Sequence, residues 1–389
     1  MRLAVANCMR QSSYSWREIG RDESLMLRAL AILMILLHNY LHWVSDTPGE
    51  NEFTFRIVRV HEFINGLWDT PQDFVRLCAS YLGHYGVQVF FFLSGYGLVR
   101  KYGGRIPSWW VFQKRRWVAL YPAVFVSAIG YLVYEGFRLG FGFVFQTQGL
   151  NLLRQMVGIS NFSPDNVYHP IGPWWFIGVI VQFYLLVPFV FKLVNTYGDR
   201  LLYLIGALSL LAEFFLGPLL ESWVDVNINH TIIGHLDVCL MGIWFARREK
   251  VSVAWLVIFS ALVAFVMGSF YYSLWLVSGL MLMLFLLPVM RSICSVIKRH
   301  RGLSMVCIFL GNLSLYLFLC NGYLRKPLIE IAVAEPHWWT SIWSSLVFLG
   351  IVIVWAMILR CLEEKTRQYF RILIYWSRYG RTDPTRRKR

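Results

Sequence analysis

The stretch Arg28-Ala-Leu-Ala-Ile-Leu-Met-Ile-Leu-Leu-His38-Asn39-Tyr40-Leu41-His42 decides the fold. An unbroken apolar run lies between two ionisable residues, and a helix that is apolar all round belongs in a very large core or in a bilayer. Composition chooses the bilayer. Of 389 residues, 57% are hydrophobic and 15% charged. A soluble chain carries roughly 45–50% apolar and about 25% charged residues. That balance excludes a secreted, disordered, coiled-coil or disulfide-rich protein. The net charge of +15 would point a soluble protein towards nucleic acid. Here the basic residues fall between apolar runs, where they act as a topology signal, and no nucleic-acid partner is expected.

A spanning helix needs about 20 mostly apolar residues. Runs of that kind predict about ten helices, near 25–43, 78–99, 117–137, 172–194, 200–219, 231–247, 251–269, 272–290, 304–324 and 341–361. The expected fold is therefore an all-α polytopic membrane bundle. Residues 1–24 read as a cytoplasmic leader, 25–362 as the membrane domain and 363–389 as a basic cytoplasmic tail. Alternate loops divide the Lys and Arg residues 29 to 7, with Arg28 inside the first span completing the 37. The positive-inside rule then puts both termini in the cytoplasm. Segment 53–68 is too polar to span. The outer loops 44–76 and 138–171 are long enough to shape a site. The seven cysteines form no Cys-x-x-Cys pair, so neither a disulfide nor a metal site is expected.

Ionisable groups inside a span are costly and mark functional candidates. His38 lies about 15 Å along the helix from Arg28, near the bilayer midplane. An imidazole there can take and return a proton. The second span ends Phe90-Phe91-Phe92-Leu93-Ser94-Gly95-Tyr96-Gly97, whose small residues allow close helix approach or expose backbone to a ligand. Lys114-Arg115-Arg116 precedes Tyr121-Pro122 and serves either as a membrane anchor or as a phosphate fork. Trp174-Trp175-Phe176 opens the fourth span, which continues to Gln182-Phe183-Tyr184. His235 and Asp237 mark the sixth span, Ser314 and Asn321 the ninth. Glu213 in the fifth has no obvious partner.

In this order these segments resemble the acyltransferase-3 family of bacterial membrane acyltransferases, from about Leu25 to Leu362. Arg28…His38 is similar to the family's first-span Arg/His signature, and Phe91-Phe92-Leu93-Ser94-Gly95-Tyr96 to its Ser-Gly-aromatic motif. Lys114-Arg115-Arg116…Tyr121-Pro122, Trp174-Trp175-Phe176…Gln182-Phe183-Tyr184…Pro188 and Ser314-Leu315-Tyr316 resemble the later blocks. The departures are specific. Nine residues separate Arg28 from His38 where the family commonly has ten, which sets the two about 80° apart around a helix. Ile180 and Val181 stand where carboxylates are common, Ala119 where an Arg is, and Asn321 where a late His is.

The resemblance implies transfer of an acyl group, most simply acetyl, from acyl-CoA as donor substrate to a hydroxyl of an envelope glycan or lipid-linked saccharide. No tightly bound cofactor is expected. His38 would be the general base, with a covalent acyl-His intermediate as the other route, and Arg28, Tyr96 or Gln182 would hold the oxyanion. Arg115 and Arg116, with Ser94, Gly95 and Tyr96, would bind the acyl-CoA. Asn39, Trp174, Trp175, Gln182 and Tyr184 would form the acceptor wall. The competing reading is a transporter or flippase of a saccharide or small solute. It accounts for the buried polar groups but not for the order of the motifs, and no internal repeat supports it.

Overall fold

In the computed structural model, residues 13–44, 49–335 and 337–379 are described, with side chains as far as Tyr369. Parts of the expected leader (1–12) and of the basic tail (380–389) lie outside the described residues. The decisive stretch forms one unbroken helix, α1 (Arg21–Leu41). It is followed by α2 (Ile57–Asp69), α3 (Phe74–Leu82), α4 (Gly86–Tyr102), α5 (Trp109–Leu139), α6 (Phe141–Val157) and α7 (Trp175–Tyr197). Then come α8 (Arg200–Val224), α9 (Leu236–Ala246), α10 (Trp255–Gly268), α11 (Ser278–Ile297), α12 (Arg301–Leu324), α13 (Lys326–Ala334) and α14 (Trp338–Tyr379).

The protein is a polytopic, nearly all-α bundle. Among the described residues, 7 helices are long and apolar enough to cross a membrane. Two shorter apolar segments, Ile232–Ala246 and Trp255–Gly268, join them. So does α4, which α3 reaches through a short turn at Gly83–Tyr85. About ten crossings result. The eighth expected span starts later than its apolar run, at Ser278, because Tyr272–Trp275 forms a separate helical turn. Segment 57–69 is a helix with only Val60 buried. Segment 138–171, expected as an outer loop, contains the helix α6.

One feature departs from an all-α chain. Strand β1 (Ser13–Arg17) pairs antiparallel with β2 (Lys250–Ala254), Ser13 opposite Ala254 and Arg17 opposite Lys250. Trp16 anchors the pair, 4.4 Å from Phe245 in a stacked contact. Residues 13–17 are therefore bound to the bundle. Arg291 Nε donates to Glu23 at 2.6 Å and its Nη1 to the Arg17 carbonyl at 2.9 Å, fastening the same end.

Two close helix contacts organise the centre. A Cβ on Gly311 would lie 2.0 Å from the Leu25 carbonyl oxygen, so α12 presses on α1 through bare backbone. A Cβ on Gly95 would lie 2.0 Å from the Cys239 oxygen, and one on Gly242 2.1 Å from the Phe92 oxygen. Reciprocal glycines thus bring α4 and α9 into backbone contact, the small-residue packing available to helices in lipid. Asn39 Nδ2 donates to Asn321 Oδ1 at 2.8 Å, a part-buried bond from α1 to α12 of the kind that ties helices together where water is scarce.

Candidate active site

At the end of the bundle that carries the strand pair, a cavity of about 360 Å³ opens between α1, α4, α5, α7 and α12. Arg28, Lys101 and Arg116 line it with Ser94, Tyr184 and Ser314, and among the described residues no carboxylate contributes to its wall. Arg116 donates to the Tyr102 hydroxyl at 3.1 Å and sits over the rings of Tyr102, Phe112 and Tyr184 at 5.5, 5.6 and 5.8 Å. Its planar guanidinium is held by aromatic faces while donors remain for an anion. Deeper in, the wall becomes apolar, with Ile35, Val87, Phe176 and Phe318. Three cations at the mouth and an apolar interior suit a ligand with a polyanionic head and a neutral arm.

One helical turn beyond Ile35 stands His38. Its Nδ1 lies 2.7 Å from the Ser80 carbonyl oxygen. A carbonyl only accepts, so Nδ1 carries the proton and Nε2 presents a lone pair. That lone pair faces the segment after the first span, with Nε2 3.9 Å from Glu52 Oε2. His42 Nδ1 is 2.8 Å from Glu50 Oε2. The His38 ring also lies 5.3 Å from that of His42 and 5.4 Å from that of His84, centroid to centroid. Burial works to raise the Glu50 carboxyl, but the His42 bond and the charges of His42, His38 and His84 bring it down to about 2. Burial and then the Glu50 charge push Glu52 well above the carboxylate range.

Glu50 and Glu52 are held by backbone contacts on every side. Arg59 Nη1 donates to the Glu50 carbonyl at 2.6 Å and the Thr54 carbonyl at 2.8 Å. Trp275 Nε1 donates to the Asn51 carbonyl at 2.7 Å, and Asn227 Nδ2 to the Phe53 carbonyl at 2.9 Å. Beside Glu52 and His84 a small polar pocket runs to Gln88, Trp175, Glu213, His235 and Asp237. A cleft of about 270 Å³ shares Glu213, Asn229 and Trp275 with it and adds Phe55, Tyr272 and Glu221. Val87 belongs to the walls of both the first cavity and the small pocket.

The structure brings Arg28, Ser94, Arg116 and Tyr184, expected in three different roles, to one cavity, but separates other residues expected to act together. Arg115 is exposed and lines no part of it. Gly95 is spent on the contact with Cys239. The Tyr96 hydroxyl points away, 2.8 Å from the Ile19 amide that donates to it. The expected acceptor wall also disperses. Trp174 is buried with Nε1 on the Leu319 carbonyl at 2.9 Å, and Gln182 Oε1 accepts from the Ile232 amide at 3.0 Å. Asn39 is bound to Asn321, Tyr184 lines the first cavity, and only Trp175 faces the small polar pocket. Arg28 and His38 address different spaces: α1 is unbroken, so the ten-step offset of about 80° stands.

Sequence reading missed Glu50, Glu52, His84 and Lys101 as site residues. Glu213, without a partner in the sequence, meets Asn229 at the rim of the small pocket. The acyltransferase-3 family, described as an acyltransferase domain, matches residues 26–361, and the chain belongs to that family. No curated protein and no solved structure matches the chain.

Proposed function

We propose that this membrane acyltransferase takes an acyl group, most simply acetyl, from acyl-CoA at its basic end and delivers it to a hydroxyl of an envelope glycan or lipid-linked saccharide. The observation that carries the reading is the first cavity, with Arg28, Lys101 and Arg116 at one end, no carboxylate among the described residues of its wall, and an apolar interior that stops one turn short of His38. Guanidinium groups pair with phosphoryl oxygens in a planar fork. The CoA phosphates would sit at the mouth, on the cytoplasmic side, with the thioester towards Ile35 and Val87.

At the far end His38 has the tautomer a base needs, since Ser80 fixes the proton on Nδ1. In the proposed step, Nε2 removes the proton of the acceptor hydroxyl as its oxygen attacks the thioester carbon. The carbon–sulfur bond then breaks and the leaving thiolate takes a proton. The acceptor would approach through the opposite cleft, past Tyr272, Trp275 and Glu213, so donor and acceptor meet near Val87 from two sides. Of the oxyanion candidates, Tyr96 and Gln182 are committed elsewhere, and Arg28 fits the donor end better.

The test is acetyl-CoA binding and turnover by the detergent-purified protein beside His38→Ala. The expected outcome is donor binding by both proteins and turnover by the wild type alone. A fully active His38→Ala would overturn the assignment of the base. A wild type that does not bind acetyl-CoA would overturn the donor reading and return transport to the front.

A further inference from the structure

We propose that His38, Glu50 and Glu52 form a binding site for a transition-metal dication of the zinc type, one whose occupation withholds His38 from proton transfer. One ligand atom from each, the imidazole nitrogen and two carboxylate oxygens, all lie within 4.8 Å of one another. His38 is 5% exposed, and its Nε2 makes no hydrogen bond among the described residues. That nitrogen lies 3.9 Å from Glu52 Oε2 and within reach of the side chains of both glutamates. The other ring nitrogen is anchored on the Ser80 carbonyl at 2.7 Å. Metal-ligating histidines characteristically hold their second nitrogen in this way, which fixes the ring and the tautomer together.

The donor set selects the ion. One imidazole and two carboxylates suit zinc and its neighbours, which bind nitrogen and oxygen at about 2.0–2.2 Å and leave a fourth position open. Magnesium and calcium prefer oxygen alone. A dication placed between two carboxyl groups in a protected pocket offsets the hydration that their ionised forms lose there. The segment is already in place, with Arg59 on the Glu50 carbonyl and Trp275 on the Asn51 carbonyl, so binding requires only that side chains draw inwards. His42, 2.8 Å from Glu50, would remain as the outer partner of that carboxylate. The ion would coordinate the same lone pair that accepts the acceptor's proton. The inhibitory consequence rests on the proposed function; the site itself does not.

The full-length protein, stripped with EDTA and purified in detergent, would be titrated with Co²⁺ and followed by visible absorption and equilibrium dialysis. One Co²⁺ per chain is expected, displaced by Zn²⁺, with Glu52→Gln and His38→Ala each weakening it by about tenfold or more. His61→Ala, on the exposed face of α2, should bind as the wild type does. If Glu52→Gln does not fold, Glu52→Asp serves, since its shorter arm should also weaken binding. No bound Co²⁺, or binding unchanged in the Glu52 and His38 variants, would overturn the site. In the acyl-transfer assay Zn²⁺ should lower turnover and EDTA restore it. Turnover unaffected by a filled site, or lost on removing the metal, would overturn the inhibitory role. A protein with no measurable transfer would still be judged on Co²⁺ binding, which separates failure of the site from failure of the proposed function.

Discussion

Arg116→Ala should weaken acyl-CoA binding far more than Arg115→Ala, although the two arginines are adjacent in the chain. Arg116 lines the first cavity and is pre-set by the Tyr102 hydroxyl at 3.1 Å and by three aromatic faces. Arg115 is exposed and outside it. A hydrogen bond to a charged group contributes about 1.5–3 kcal/mol. At about 1.4 kcal/mol per factor of ten, losing one phosphate contact from Arg116 should raise Kd roughly tenfold to hundredfold. Removing an exposed arginine away from the ligand changes energies by about 0.5 kcal/mol or less, close to twofold in Kd. Calorimetric titration of CoA into the purified protein measures both. Salt adds a second discriminator: a partly enclosed guanidinium keeps its contribution when ionic strength rises, whereas an exposed one is screened. Equal losses in the two variants, or a larger loss with Arg115→Ala, would refute the placement of the phosphates in this cavity.

Gly95→Ala should lower the melting temperature in detergent by the equivalent of about 1–3 kcal/mol, because its Cβ has no room against Cys239. Gly97→Ala, with nothing within 4 Å of its Cβ, should be tolerated; a stable Gly95→Ala would contradict the α4–α9 contact. Tyr272→Ala and Glu213→Gln should raise KM for the saccharide acceptor severalfold while leaving Kd for acetyl-CoA near its wild-type value, and a shift in the donor constant instead would refute the two-sided arrangement. His230, which accepts from the Tyr168 hydroxyl at 2.6 Å, is held by burial down to about 4 from its ordinary 6.5. The folded protein therefore resists a proton that the unfolded chain accepts, and stability falls as pH drops from about 6.5 towards 4, by of order 3 kcal/mol at most. His230→Gln should flatten that part of the thermal-stability profile, and an unchanged profile would show that His230 does not titrate on unfolding.

The spans and several residues of the first cavity were legible because their signals are local. Apolar runs of about 20 residues announce crossings whatever their neighbours, and Arg28, Ser94 and Arg116 sit in motifs whose order survives without knowledge of packing. The histidine–carboxylate cluster was not legible for the opposite reason. Glu50 and Glu52 belong to a polar stretch between spans that reads like any connector, and nothing local shows that Arg59, Trp275 and Asn227 hold its backbone against His38. Ile180 and Val181 suggested a site without carboxylates, yet two carboxylates reach His38 from the adjoining loop. Gly95 and Tyr96 misled because a small residue and an aromatic serve packing as readily as binding. Only the partner, Cys239 for one and Ile19 for the other, decides which.

The altered spacing in α1 has a physical reading of its own. An eleven-step separation would stack Arg28 and His38 on nearly the same face, while ten steps turn them about 80° apart. In an unbroken helix that offset is not absorbed by a bend, and the two side chains serve different spaces: Arg28 the first cavity, His38 the histidine–carboxylate cluster. A single-faced arrangement would need arginine and base to act on one ligand position. The observed one needs only that a long, thin donor pass from one face to the other, which an acyl group on a flexible arm can do. Inserting one alanine between Ile35 and Leu36 restores eleven steps but swings His38 by about 100° away from Ser80, Glu50 and Glu52. The inserted protein should therefore retain acyl-CoA binding and lose transfer. If it transferred as well as the wild type, Arg28 and His38 would have to work as one face, and the division of the site into two spaces would be wrong.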